Sequence, residues 1–330
     1  MLVTPEELEA MSFAAGAMRP KIDAACAFTR ATGRPAVIAA LNELTAVVTG
    51  ARGTRIRWGA AEAADRRLPL TVCHAWEWPY HEWPGEIVPL ELVRRPAQRL
   101  VEAAAGRVRR QHRDVPVNTL TDRGRPGGLL VELSTDAALI VVGCRGLGAL
   151  GGLVAGSVSG HIAAHAGCPV IVMRGPAEAH GAREVVAGFD SWRTSVAALD
   201  FAAGEAVRLG APLKVVIADQ GRGRDAGALQ TPAQAEGLAW DELTLLRRRY
   251  PDLRAGVELA DGPARPALLE AAREARLLVV GSRGLGEVRG LLLRSVSQAV
   301  VHHAPCPVAV VHGDGAAPPA SAWAGRRSWC

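Results

Sequence analysis

At 330 residues the chain has room for two domains of roughly 150 residues each, and its 49% apolar content excludes disorder along its whole length. Only 4% is aromatic, so the interior must be aliphatic, and the charge of +5 (38 Lys+Arg against 33 Asp+Glu) comes almost wholly from arginines spread along the chain. That spread, with no apolar run near the roughly 20 residues that cross a bilayer, predicts neither a nucleic-acid nor a membrane partner.

At the N-terminus, Thr4-Pro-Glu-Glu7 reads as a helix start and Ile22–Thr32 as a second helix, so residues 1–40 form a helical extension. A short strand, Val47–Gly50, comes next. The stretch 59–72 then runs from a helix into a second strand that ends in His74-Ala-Trp76. Trp76–Pro84 is the aromatic-rich stretch; it reads either as a loop folded on its own apolar groups or as a lid or partner contact. Further on, the strand Leu139–Val142 enters Gly143-Cys-Arg-Gly146. Nine residues later Gly156-Ser157 opens the helix Val158–Ala166, followed by the strand Pro169–Met173.

A polar stretch, Pro176–Arg183, leads to a second series. Its strands are Glu184–Ala187, Leu213–Ala218, Leu253–Leu259, Arg276–Val280 and Pro307–Val311; its helices include Val196–Leu209, Ala235–Arg249 and Ala264–Ala275. The tail after Gly313 reads as unstructured. Strands apolar on both faces, each followed by a helix, predict an α/β fold with a doubly wound parallel sheet, twice over.

The second series copies the first. Residues 136–175 and 274–313 align without a gap at an offset of 138, with 21 identities in 40 positions. The first strands, 47–50 and 185–188, share that offset, whereas 59–72 matches 202–215 at 143, because the first half is five residues shorter between its first strand and first helix. The organisation read from this is an extension (1–40), a domain (41–175), its duplicate (182–313) and a tail (314–330).

The glycine loop carries the chemistry. Glycines let backbone N–H groups approach an anion, and a Gly-Ser helix start adds unpaired N–H groups and a hydroxyl. Arg145 can supply charge to a phosphate. The bare spacing is equally a set of turn glycines beside a helix capped by Ser157. The full pattern is more particular: Gly-x-x-Gly, nine residues, Gly-Ser, between a Val/Leu strand and a Cys-Pro-Val-x-Val strand. In that pattern the chain resembles the universal stress protein family, of the tandem two-domain type, over nearly all of both halves.

The resemblance implies a five-stranded flavodoxin-like sheet in each half, in the order 3-2-1-4-5 with helices on both faces. It implies a cytoplasmic stress-response protein with no common catalytic residues, acting by conformation or choice of partner, whose relatives in part bind ATP. The implied binding residues are Gly143, Arg145, Gly146, Gly156, Ser157 and Val158 in the first half. In the second they are Asp190, Gly281, Arg283, Gly284, Ser295 and Val296. The cofactor implied is ATP, in one domain or weakly, with no metal beyond its accompanying Mg. In the family the last strand commonly mediates dimerisation, so the two halves are expected to pair through theirs; a homodimer of the whole chain stays open.

Each half departs from the pattern differently. The second keeps Asp190 after its first strand, but Arg294 stands where the loop's glycine belongs; its side chain either fills phosphate space or reaches round to a phosphate. The first keeps the loop, but Arg52 stands where the Asp belongs, and an arginine cannot accept a hydrogen bond from a sugar hydroxyl or an adenine amine. A nucleotide-independent scaffold with degenerate sites is therefore the alternative, and a slow ATPase ranks below both, since no carboxylate is placed to activate water. His161 and His165 lack a third metal ligand. Cys168 and Cys306 read as small buried residues, and six cysteines without a CxxC pair suit a reducing compartment.

Overall fold

Short Val/Ile/Leu strands that are apolar on both faces need helices above and below them, and the chain supplies these in the same order twice. The computed structural model describes residues 52–76, 90–143, 157–174, 184–190, 193–219, 231–282 and 296–312. Residues 1–40, the strand at 47–50, most of the aromatic stretch, the linker and the tail lie outside the described residues. In the first half α1 (Arg52–Arg66) precedes β1 (Leu70–Trp76), α2 (Leu90–Gln111), β2 (Val117–Arg123), α3 (Pro126–Leu133), β3 (Ile140–Gly143), α4 (Ser157–His165) and β4 (Val170–Met173). The second half has β5 (Glu184–Gly188), α5 (Arg193–Arg208), β6 (Leu213–Asp219), α6 (Pro232–Arg249), β7 (Ala255–Asp261), α7 (Ala264–Ala271), β8 (Ala275–Gly281), α8 (Val296–His303) and β9 (Val308–Val311).

In the second half the strand order β7-β6-β5-β8-β9 is 3-2-1-4-5, all parallel. In the first half β1 pairs with β2 and β3 with β4, again parallel. The last strands then meet: β4 runs antiparallel to β9, with Val170 opposite Val310 and Val172 opposite Val308. Seven strands, β3-β4-β9-β8-β5-β6-β7, thereby form one sheet. Alternation along each strand sends side chains to two cores. Val170, Val172, Leu278, Val308 and Val310 join Ile162 of α4 and Val300 of α8 on one face. Ile171, Val279, Ala309 and Val311 join Leu199 of α5 and Leu243 of α6 on the other.

Helix α2 covers β1 and β2 with Ala97, Val101, Ala104, Ala105 and Val108, a stripe at helical spacing. Across the β4–β9 junction, Arg174 donates to the carbonyls of His302 (2.6 Å) and Ala304 (3.2 Å), so a first-half residue caps the C-terminus of a second-half helix. Most element ends lie within one to three residues of the sequence reading, and two show why they differ. Leu253 precedes β7 because its N–H donates to Tyr250 O in a turn, and α7 stops at Ala271 because the chain turns at once into β8.

The duplication persists at the level of single hydrogen bonds. Leu70 N–H donates to Pro116 O as Leu213 N–H does to Arg254 O, both at 2.8 Å, and Ile140 to Pro169 matches Leu278 to Pro307, both at 3.0 Å. After α1 and α5 the chain turns through a left-handed residue, Arg67 at φ 53° in one half and Gly210 at φ 62° in the other. Glycine takes that conformation freely, whereas a side chain is strained there. Replacing Arg67 by Gly is therefore expected to raise unfolding stability by about 1 kcal/mol, measured by urea titration, with Gly210→Arg lowering it by a similar amount.

Candidate functional site

In an open parallel sheet a ligand meets the chain beyond the carboxyl ends of the strands, where neighbouring strands send their connections to opposite faces. In the second half that point lies between β5 and β8. The chain leaving β5 enters α5, which packs through Ala198, Leu199 and Ala202 on one face; the chain leaving β8 leads to α8, which packs through Val300 and Val301 on the other. The two strands are paired up to Ala187 and Val279, after an irregularity in register between Glu184 and Val185. Beyond that pair β5 ends at Gly188 and β8 at Gly281, and the helices that follow them lie on opposite faces.

Asp190 follows the carboxyl end of β5 by two residues. Phe189 N–H still donates to Val216 O at 3.0 Å, and the Phe189 side chain is buried among the α5–α6 core, so Asp190 is the first residue released from the ladder; it is half-buried. A side chain at Gly188, two residues before it, would be crowded: a Cβ would lie 3.1 Å from both Leu268 methyls and 3.5 Å from Val280 Cγ1. On the neighbouring strand, Gly281 pairs with Val311 as the last residue of β8, and Ser282 N–H donates to Val311 O at 2.8 Å. The hydroxyl of Ser297 in the first turn of α8 donates to Ser282 O at 3.4 Å, tying the helix start to the strand exit.

The first half repeats part of this. Gly143 pairs with Met173 as Gly281 does with Val311, and α4 starts at Ser157. Val158 and Val296 pack against the same core, so what they offer a ligand is the backbone N–H of a helix's first turn. Arg52 is the first residue of α1, whereas α5 starts three residues beyond Asp190. Arg145, Gly146, Gly156, Arg283, Gly284, Arg294 and Ser295 lie outside the described residues, as does the Ser157 side chain.

Three serines beyond those singled out from the sequence sit in the first turns of the helices that follow these strands. Ser159 is buried in α4, Ser297 is its counterpart in α8, and Ser195 is buried in the first turn of α5. The recurrence of Ser-Val-Ser at 157–159 and 295–297 was the available signal. Elsewhere, burial pushes the thiols of Cys168 and Cys306 up to about 11 and about 12, which keeps both unreactive. The rings of His161 and His165 stack at 4.5 Å, and His165 Nδ1 is 2.9 Å from His161 O. Among the described residues no three His, Cys, Asp or Glu side chains are grouped to hold a metal ion, and no helix is long and apolar enough to cross a membrane.

Comparison with known proteins places this geometry. The sequence profile of the universal stress protein family matches residues 51–174 and 181–312. A universal stress protein of Mycobacterium tuberculosis is 35% identical over 280 residues, covering 77% of this chain and 90% of the relative. One from Mycolicibacterium smegmatis is 34% identical over 270 residues, covering 78% and 91%. Among solved structures, a universal stress protein from Archaeoglobus fulgidus superposes with a TM-score of 0.57 at 18% identity, over 78% of this chain and 91% of that one, and so shares the fold.

The crowding at Gly188 sets a measurable requirement on the site. Gly188→Val forces side-chain atoms into Leu268 and Val280 and is expected to cost about 1–3 kcal/mol of stability, read as a lowered urea midpoint.

Proposed function

Because the chain belongs to the universal stress protein family, we propose that it is a stress-response protein that binds an adenine nucleotide, ATP, and acts through conformation or choice of partner. The observation that supports this reading is that Asp190 and Gly281 both lie at the carboxyl ends of the neighbouring strands β5 and β8, a place suited to a nucleotide in this kind of sheet. In the first half, Gly143, Gly146, Gly156 and Ser157 would cradle the phosphates with backbone N–H groups, Arg145 would add charge, and Val158 would offer the first-turn N–H of α4. In the second, Gly281, Arg283, Gly284, Ser295 and Val296 would serve likewise, with Asp190 accepting hydrogen bonds from the adenosine side. When bound, the nucleotide would bring its own Mg and a charged triphosphate; the chain's part is to bind and orient it.

The halves are unequal on this reading. The first has the whole glycine loop but Arg52 at the adenosine position; the second has Asp190 but Arg294 in the loop. The first half is taken as the stronger phosphate binder. The pairing of β4 with β9 is read as the internal equivalent of a dimer, leaving association of whole chains as a separate step. A reducing cytoplasm suits the free thiols of Cys73, Cys168 and Cys306. The same two departures favour a second reading, a scaffold that works without nucleotide.

Equilibrium titration with ATP separates these readings. The parent chain is expected to bind, Gly156→Arg to lose at least about tenfold in affinity by filling the cradle, and Asp190→Ala to affect only the weaker site. Unchanged binding in Gly156→Arg overturns the first-half assignment. No binding by the folded parent establishes the scaffold reading instead.

A further inference from the structure

Where α1 and α5 come together, their last turns bring charged groups of both halves into one cluster. Glu62 and Glu205 occupy equivalent positions of the repeat, at the offset of 143. Arg208 donates through Nη2 to Glu62 Oε1 at 2.8 Å and to Glu205 Oε2 at 2.5 Å, and through Nη1 to Asp65 Oδ2 at 2.5 Å. Arg66 donates through Nε to Glu62 Oε2 at 3.2 Å and through Nη2 to Glu205 Oε1, with its guanidinium 5.6 Å from the Phe201 ring centroid. Three carboxylates thus share two guanidiniums. The side chains of Glu62 and Glu205 are only 12% and 3% exposed.

Two features make this surplus of negative charge costly. Burial removes the water that would stabilise a carboxylate, and both glutamates lie towards the C-terminal end of a helix, the negative end of its dipole. The remedy open to such a site is to take up a proton. Of the two buried acids, Glu205 accepts from Arg66 and from both Nη2 and Nε of Arg208, whereas Glu62 accepts one bond from each arginine. Glu62 is therefore the one whose charge is less well supported.

From this arrangement we infer that Glu62 is a proton acceptor built into the contact between the two halves, and that the contact tightens in mild acid. The proton comes from solvent and goes to a Glu62 carboxylate oxygen, leaving Asp65 and Glu205 to balance Arg66 and Arg208. Burial and the charge of Glu205 lift the Glu62 carboxyl above its ordinary value, against the opposing pull of Arg208 and Arg66. Beyond the cluster, on α5, Asp200 pairs with Arg249 of α6 at 3.0 Å. Tyr250 sets its hydroxyl 3.2 Å from where a Gly204 Cβ would be. Burial and then Asp200 hold that phenol above its usual range, so it stays neutral as Glu62 titrates. A carboxyl whose value is raised on folding binds its proton more tightly in the folded chain. Its contribution is complete below the unfolded value of 4.5 and is lost as pH rises through the folded value.

Urea unfolding of the full chain between roughly pH 7.5 and pH 5 tests this. The comparison is with Glu62→Gln, which keeps an acceptor for Arg208 but takes up no proton. As pH falls, the midpoint of the parent is expected to rise relative to that of the variant. A constant separation, or a parent that falls relative to Glu62→Gln, overturns the inference. Should Glu62→Gln fail to fold, carboxyl-carbon NMR of the parent decides the matter directly: titration of Glu62 above 4.5 supports it, and titration at or below 4.5 overturns it.

Discussion

The fold depends on what happens at an edge. The last strand of each half is apolar on both faces and short, and left at the border of a five-stranded sheet it would present unpaired backbone groups beside greasy side chains. Pairing β4 with β9 removes both borders at once. It also merges what would have been separate interiors, since Val170 and Val172 of one half lie in the same cluster as Val308 and Val310 of the other. Arg174 reinforces the junction by reaching across it to the end of α8. The helices that begin beside the candidate sites are therefore held by a core to which both halves contribute.

On this common frame the two halves have diverged in a particular way. The hydrogen bonds that close strands and end helices recur at equivalent positions, with Gly124 to Trp76 at 3.0 Å and Gly262 to Asp219 at 2.8 Å among the most different. The motif residues differ in kind: Arg52 against Asp190, and Gly156 against Arg294. The scaffold constrains the first set through burial and backbone pairing. The second set belongs to the connections that follow the strands, outside those repeated pairings.

Much of this was legible in the sequence because it is local or periodic. Val/Ile/Leu runs at regular spacing marked the strands, the offset of 138 marked the duplication, and Gly281 and Asp190 could be placed at strand ends before any coordinates. Contacts between residues far apart were not legible. The cluster of Glu62, Arg66, Glu205 and Arg208 joins positions about 140 apart on two helices whose mutual approach follows from the sheet. Nothing in either helix alone, where Arg66 merely sits four residues after Glu62, announces a partner in the other. Arg67 misled in another way: its left-handed turn is visible only by comparison with Gly210, because an arginine does not advertise that conformation. Ser297 was passed over since its role lies in a bond to Ser282 O.

The β4–β9 pair joins two parts of a single polypeptide, and that has a consequence for assembly. A non-covalent dimer built on the same strands would dissociate on dilution and gain stability with concentration. Here the partner strand is tethered, at an effective concentration of the order of millimolar for a flexible connection, so the seven-stranded sheet forms equally well when the protein is scarce. A tethered pair is also released from the symmetry that obliges a homodimer to carry every substitution twice. Arg294 can stand in one repeat while Gly156 remains in the other, so every chain carries two unlike copies of the same motif.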